Sequence, residues 1–305
     1  PSKKIICICP NPSVDTYLSA DELKPGVLNR VFDELHFPGG KGIHVGIAAA
    51  ELGEQSIVLG FWAGPTGKWL KEKCLELNVP CTGPEVGGWN RINTTIRSAG
   101  KWNETEMVAQ GPQITANDYQ TCCSELEKLL PDASAVVMSG SWPKDAPEDA
   151  YGPLIELAKK FNVPAWIDCS GKLLQQALQH QPHGIHLNKS EWKAVIPVEF
   201  ENDPARYFLQ YAQQVALTAG ADGLQFTTSS EKIHATCHLE KIFSAVGSGD
   251  CLTAGLAVSH IRNYNAIETA RFAAACGSAN CMREELGLLY RKDVDALLDK
   301  VMVSQ

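Results

Sequence analysis

Short apolar runs alternate along the chain with longer stretches of helical periodicity. Residues 5–9, 56–61, 135–138, 163–167, 185–187 and 215–218 are brief, apolar and bounded by glycine, proline or polar residues, which predicts strands. The clearest helix is predicted over 115–130. There Thr115 and Asp118 have the spacing of a capping box, and Tyr119, Cys122, Leu126 and Leu129 recur at helical intervals. Strands alternating with helices imply right-handed crossovers. The expected architecture is therefore an α/β, doubly wound, mostly parallel sheet flanked by helices, with ligands at the carboxyl ends of its strands.

Two segments break this rhythm, residues 12–36 and 89–111. In the second, residues 91–98 and 105–109 flank a polar Ala99-Gly100-Lys101 turn in the manner of a hairpin. Both are expected to form one small β-sheet that projects from the core as a lid. On this reading residues 1–305 are a single domain, with a core of 1–11, 37–88 and 112–305 and a lid of 12–36 and 89–111. Internal repeats, low-complexity tracts and a flexible linker are absent from the sequence.

Composition narrows the function classes. A chain of 305 residues, 44% of them apolar, is long enough to bury a large core. Its net charge of −8, with Lys and Arg scattered, supplies no concentrated field for a polyphosphate backbone, so no nucleic-acid partner is expected. The apolar run after Lys3-Lys4 is stopped by Pro10, too early for the core of a signal peptide, and reads as a first buried strand. No run approaches the roughly 18 apolar residues of a membrane span. The 11 cysteines form an odd set without a C-x-x-C pair, and Cys7, Cys9, Cys276 and Cys281 sit in apolar segments. A soluble protein of the reducing cytoplasm, without a zinc site, is the expectation.

The candidate chemistry lies in residues 242–262, which read as a strand, a glycine turn and a helix. Gly247 and Gly249 allow close backbone approach to a ligand, and the amides of residues 247–250 are expected at the positive end of the helix, where an anion sits. Asp250 is then conspicuous, because a carboxylate beside an anion site is unfavourable unless it has a task. Phosphoryl transfer supplies one: accepting the proton of the attacking hydroxyl while Gly247, Ser248 and Gly249 stabilise phosphoryl oxygens. Taken alone, G-x-G-D more often marks a helix capped by aspartate after a turn. No Walker loop and no complete G-x-G-x-x-G pattern is present.

Ordered motifs upstream give the turn its context. Asn11-Pro12-Ser13-Val14-Asp15 is similar to N-P-A-L-D, Gly39-Gly40-Lys41-Gly42-Ile43-His44-Val45 to G-G-K-G-I-N-V, and Gly247-Ser248-Gly249-Asp250 to G-A-G-D. Between them stand Arg91-Ile92-Asn93, Ser139-Gly140-Ser141, Asp168-Cys169-Ser170-Gly171 and Asn188-Lys189-Ser190-Glu191. In this order and over essentially the whole chain, they resemble the ribokinase-like carbohydrate kinases, in the phosphofructokinase-B branch that includes 1-phosphofructokinases and tagatose-6-phosphate kinases.

The resemblance implies ATP-dependent phosphorylation of a ketohexose phosphate such as fructose 1-phosphate, fructose 6-phosphate or tagatose 6-phosphate, with Asp250 as base. Asp15, Gly39, Gly40, Lys41, His44, Arg91 and Asn93 would hold the sugar. Lys41 and Arg91 argue for a charged substrate, although Lys41 serves the transferring phosphoryl group equally well. Asn188, Glu191, Thr218, Gly220, Gly223 and Asn280 would serve ATP, with Glu191 helping to place Mg2+ through water. The resemblance also implies a homodimer paired through its lid sheets.

Three positions depart from the pattern. His44 stands where the branch has Asn, His186 where K-P-N has Lys, and Thr95 where a Lys is frequent. They keep open a kinase for an unphosphorylated sugar or nucleoside, and a catalytically weak, sugar-responsive binding protein. Cys251 follows Asp250 at a helix start, a place that lowers a thiol pKa if the sulfur is accessible.

Overall fold

The computed structural model describes residues 3–284 and 287–305. Its main sheet has ten strands. From one edge to the other they are Met302–Ser304, Lys232–Thr236, Leu224–Thr227, Gln214–Thr218, Gly184–Asn188, Ala165–Asp168, Ala133–Ser139, Lys4–Cys9, Ser56–Gly60 and Cys81–Thr82. Every neighbour pair from Gln214–Thr218 to Cys81–Thr82 is parallel, and the other three strands continue the sheet antiparallel. All six expected strands are present with shifted ends. The strand expected from 163 begins at Ala165 because Pro164 has no N–H for the ladder; its carbonyl accepts from Val136 instead.

The near-continuous apolar runs follow from burial on both faces. Ile5, Cys7 and Cys9 belong to one core layer, with the helices Lys41–Glu51, Ser248–Ile261 and Ala266–Cys281. Ile6 and Ile8 belong to the other, with the helices Ala116–Leu129, Gly152–Lys160 and Gly171–Gln179. The helix Ala116–Leu129 carries the expected capping box: Thr115 Oγ1 accepts from the Asp118 amide (3.2 Å) and Asp118 Oδ2 from the Thr115 amide (2.8 Å). Among the described residues no helix is long and apolar enough to cross a membrane. All eleven cysteines are free.

A separate sheet has the order Asp33–Gly39, Ser13–Glu22, Arg91–Ala99, Glu104–Met107. Its last two strands are antiparallel across the expected turn at Gly100. The first strand runs to Gly39, beyond the boundary expected at 36, and passes through Gly40 into the helix Lys41–Glu51. The register sets Asp15 opposite Asn93 and Ser13 opposite Arg91. Both sheets therefore meet at the carboxyl end of the strand Lys4–Cys9.

Candidate active site

The glycine turn is built by close backbone packing. Gly247 caps the helix Ser248–Ile261 with φ +83°, and a Cβ there would overlap the backbone of Gly287. Glycine is required at 247 both by its φ and by the space. A Cβ on Gly249 would lie 2.8 Å from His186 Cε1. The Ser248 amide donates within the turn to Ala245 O (3.2 Å), so the outward donors of the first turn are narrowed relative to the expectation of four.

Asp250 does not cap its helix. The cap is Gly247 and carries no side-chain bond, while the buried Asp250 carboxylate accepts a hydrogen bond at Oδ2 from His44 Nδ1 (2.8 Å). His44 is buried too, and its Nε2 has no partner among the described residues. Burial opposes charge on this ring, but the Asp250 hydrogen bond and carboxylate, with Asp15 beyond, hold its pKa above the ordinary imidazole value despite Lys41. The structure thus turns His44, expected at a sugar hydroxyl, onto Asp250.

A second buried carboxylate joins the two ends of the site. Asp168, fully buried at the end of its strand, accepts at Oδ1 from Lys41 Nζ (2.6 Å) and at Oδ2 from His186 Nδ1 (2.9 Å) and Thr253 Oγ1 (3.1 Å). His186 Nε2 continues to Thr218 Oγ1 at 3.1 Å. Lys41 Nζ also lies 3.4 Å from Glu191 Oε1. Burial alone would raise the Asp168 carboxyl, but Lys41 and His186 hold it well below the usual carboxylate range. Burial likewise works against the Lys41 ammonium, and Asp168, Asp250 and Glu191 hold it well above its usual value. His186, noted in the sequence only as a missing lysine, is the link between Asp168 and Thr218.

At the second sheet, Asp15 Oδ1 accepts from Asn93 Nδ2 (3.0 Å) and Ser13 Oγ (2.8 Å). Gly39 lies so close that a Cβ there would overlap the Asp15 carboxylate, and a Cβ on Gly40, with φ +106°, would lie 2.7 Å from Cys9 Sγ. Arg91 donates from Nε to Asn11 O (3.1 Å) and from Nη1 to Ala109 O (3.4 Å). Arg91 and Lys41 line a cleft of about 540 Å3, together with Ser139, Trp142, Lys172 and Glu191. Ser139 Oγ and Trp142 Nε1 are buried there without partners among the described residues. Unsatisfied donors in a cleft invite a polar ligand.

The nucleotide-side candidates are less closely joined. Asn188 and Glu191 form a reciprocal capping box, with Asn188 Oδ1 accepting from the Glu191 amide (3.0 Å) and Glu191 Oε2 from the Asn188 amide (2.8 Å). Their helical role and a ligand role therefore overlap. Thr218 ends its strand, and Gly220 and Gly223, at φ +58° and +87°, shape the turn that follows. Asn280 is buried and donates to Leu288 O (2.8 Å), which ties it to the segment beside Gly247. Cys251 is buried, and burial pushes its thiol well up, against the lowering expected at a helix start. No group of three metal-ligating side chains exists among the described residues. Glu191, with one oxygen at Lys41 and an edge on the cleft, still suits an ion that keeps its waters and leans on phosphate oxygens.

The structure brings Asp15, Gly39, Gly40, Lys41, His44, Arg91, Asn93 and Asp250 to one junction; the sequence quoted Asp168 and Ser139 within motifs but gave them no site role, and it missed Thr253 and the part played by His186. Asp168 had one visible signal, a carboxylate closing a parallel strand at its carboxyl end.

Comparison with known proteins places the chain in a family. A family model described as pfkB family carbohydrate kinase matches residues 10–290. The 1-phosphofructokinase of Bacillus subtilis (strain 168) is 30% identical over 301 residues, 97% of each chain. The D-tagatose-1-phosphate kinase of Bacillus licheniformis is 28% identical over 293 residues, 94% of this chain and 95% of that one. Phosphofructokinase-2 from Escherichia coli, in its complex with potassium, superposes with a TM-score of 0.90 at 24% identity, over 97% and 98% of the two chains. The fold is ribokinase-like, as expected. The chain belongs to the pfkB family of carbohydrate kinases.

Proposed function

We propose that this chain transfers the γ-phosphoryl group of ATP to a hydroxyl of a ketohexose phosphate, with Asp250 as general base. The observation that carries the reading is the buried Asp250 carboxylate, free of any capping duty, on the first turn of a glycine-led helix. A ketohexose 1-phosphate is the leading substrate, because both curated relatives carry 1-phosphate chemistry in their names.

Asp15, braced by Ser13 and Asn93, keeps an oxygen for sugar hydroxyls, and Gly39 lets the backbone approach the ring. Arg91, with Ser139 at the cleft wall, takes the substrate phosphate. Lys41, held at the cleft by Asp168 and Glu191, presents its ammonium N–H to the phosphoryl group in flight. Thr218 and the turn with Gly220 and Gly223 receive the nucleotide, and Asn280 supports that wall from within. Glu191, with Asn188 nearby, would help to hold Mg2+ through water, and the ion would neutralise charge on the ATP phosphates.

Leu35 and Ile92 on the second sheet, with Leu28 and Phe32 in the segment that leads into its strand Asp33–Gly39, are exposed apolar side chains. Pairing two such sheets would cover them and close each site against water, which is the homodimer we propose, in the cytoplasm. The test is ADP release with Mg-ATP across fructose 1-phosphate, tagatose 1-phosphate, fructose 6-phosphate, tagatose 6-phosphate and the free sugars. Preference for a 1-phosphate supports the reading; preference for an uncharged sugar or a nucleoside overturns its substrate half.

A further inference from the structure

The buried pairing of His44 with the candidate base has a consequence beyond substrate choice. We propose that His44 is the positioning residue of Asp250: its Nδ1–H fixes Oδ2, leaves Oδ1 as the proton-accepting oxygen, and makes base strength follow the protonation of the His44 ring. This rests on the phosphoryl-transfer reading above.

The geometry assigns the ring's orientation. Asp250 accepts at Oδ2, so the nitrogen 2.8 Å away, Nδ1, carries the proton. The opposite nitrogen, Nε2, is buried without a partner among the described residues. Protonating it therefore buries a new N–H without an acceptor, which opposes the imidazolium form. The backbone of Gly287 closes over the ring; a Cβ at 287 would overlap His44 Cγ and Cδ2. The bare Cα of Gly247 packs against the same Gly287 backbone, which ties this cover to the catalytic turn. Gly287 thus closes one side of the ring.

The charged groups around it determine how it titrates. Asp250, on the helix Ser248–Ile261, and Asp15, on the strand Ser13–Glu22, favour the imidazolium, whereas Lys41, on the same helix as His44, opposes it. On the neighbouring strand Lys4–Cys9, the Cys9 thiol is pushed up to about 12 by burial and stays uncharged, as does Cys251 beside Asp250. Burial and Lys41 oppose charge on the ring, and Asp250 with Asp15 holds its pKa above the ordinary imidazole value.

In the transfer step the sugar hydroxyl oxygen bonds to the γ-phosphorus, the bond from that phosphorus to the β,γ-bridging oxygen breaks, and ADP leaves. The hydroxyl proton passes to Asp250 Oδ1. When His44 is an imidazolium, its charge stabilises the carboxylate and weakens it as a base. When His44 is neutral, the same hydrogen bond holds Oδ2 and the base is stronger. Turnover therefore rises as pH climbs through the His44 pKa.

Three full-length proteins test this: the wild type, His44→Asn, which keeps an N–H donor and cannot titrate, and His44→Ala, which keeps neither. Each is assayed with Mg-ATP and its best sugar phosphate from pH 5.5 to 8.5, with thermal melts to confirm folding. We expect His44→Ala to lose about tenfold to a hundredfold in kcat with little change in the sugar KM, and His44→Asn to recover a large part of that loss. The ratio of His44→Asn to wild-type kcat cancels the substrate's own ionisation, and it is expected to rise as pH falls. Ring-labelled NMR gives a readout independent of turnover: the His44 signal, assigned by its loss in His44→Asn, titrates at lower pH in Asp250→Asn. A kcat ratio flat across pH, or a His44 titration unmoved by Asp250→Asn, overturns the proposal. If the wild type phosphorylates no sugar, the transfer reading falls by itself, and the NMR arm still decides whether His44 holds Asp250.

Discussion

Lys41 Nζ lies 2.6 Å from Asp168 Oδ1, although 127 residues separate the two in the chain. The pair joins the first turn of the helix Lys41–Glu51 to the end of the strand Ala165–Asp168. With His186 on its other oxygen, Asp168 is a buried anion between two nitrogen donors from different elements. Replacing it by Asn leaves Lys41 without its closest counter-charge in a half-buried setting. Asp168→Asn is expected to cost about 3 kcal/mol or more of stability, read from the denaturant midpoint, and to cut kcat by misplacing Lys41. An unchanged midpoint contradicts this role.

The same carboxylate predicts acid sensitivity. Its folded-state pKa is depressed by Lys41 and His186, although burial acts the other way, so the folded protein holds the ionised form more firmly than the unfolded chain does. That stability is fully present above the ordinary carboxylate pKa of about 4 and is lost as pH falls toward the depressed value. Asp168→Asn is expected to flatten the acid limb of stability against pH, measured by urea unfolding at stepped pH.

A second pH effect comes from the far end of the sheet, where the rings of Trp166, His183 and His260 meet edge to face at centroid distances of 4.7 to 5.1 Å. Burial, with His260 beside it, lowers the His183 pKa to about 4, and burial also lowers His260. The unfolded chain binds these protons more readily, so stability falls as pH drops from about 6.5 toward 4. His183→Phe keeps a ring and removes the proton site; its stability should change less across that window than the wild type's.

Gly247 gives a sharper steric prediction. With φ +83° and the Gly287 backbone against it, Gly247→Ala combines left-handed strain with a clash that no rotamer relieves. We expect about 2 kcal/mol of destabilisation and a disproportionate fall in kcat, since the strain lies one turn from Asp250. Gly26 has a similar φ and nothing within 4 Å of an added Cβ, so Gly26→Ala is the matched control for strain without the clash.

The thiols supply a chemical check. Cys7, Cys9, Cys74, Cys122, Cys169, Cys251 and Cys276 are buried, and the remaining four are half-buried. Burial raises the thiols of Cys7, Cys9, Cys251 and Cys276, so the thiolate they need for reaction is scarce. A thiol reagent should modify at most Cys81, Cys123, Cys237 and Cys281 in the native protein, and all eleven after denaturation. Rapid native labelling of Cys251 would contradict its burial.

How much of this was legible in the sequence depended on whether the signal was local. Parallel strands such as Lys4–Cys9 and Ser56–Gly60 are buried on both faces, so their apolar runs stood out. The antiparallel strands Leu224–Thr227, Lys232–Thr236 and Met302–Ser304 did not, because they are short and polar residues such as Lys232 and His234 alternate with buried ones. The capping box at Thr115 and Asp118 was readable because both partners lie within one turn. Asp168 with Lys41, and His44 with Asp250, are pairings across 127 and 206 residues that no periodicity encodes. His44 and His186 were visible only as substitutions in a pattern, and the fold reveals what each touches: the candidate base in one case, the buried anion in the other.

The central claim is that Asp250 takes the proton of the attacking hydroxyl. Its most direct test is kcat for wild type and Asp250→Asn with saturating Mg-ATP and the preferred sugar phosphate, with binding of that sugar phosphate measured separately by calorimetry. The account predicts that Asp250→Asn binds the sugar within a fewfold of wild type while kcat falls by about 100-fold to 10,000-fold. A variant that keeps kcat within tenfold of wild type would contradict it.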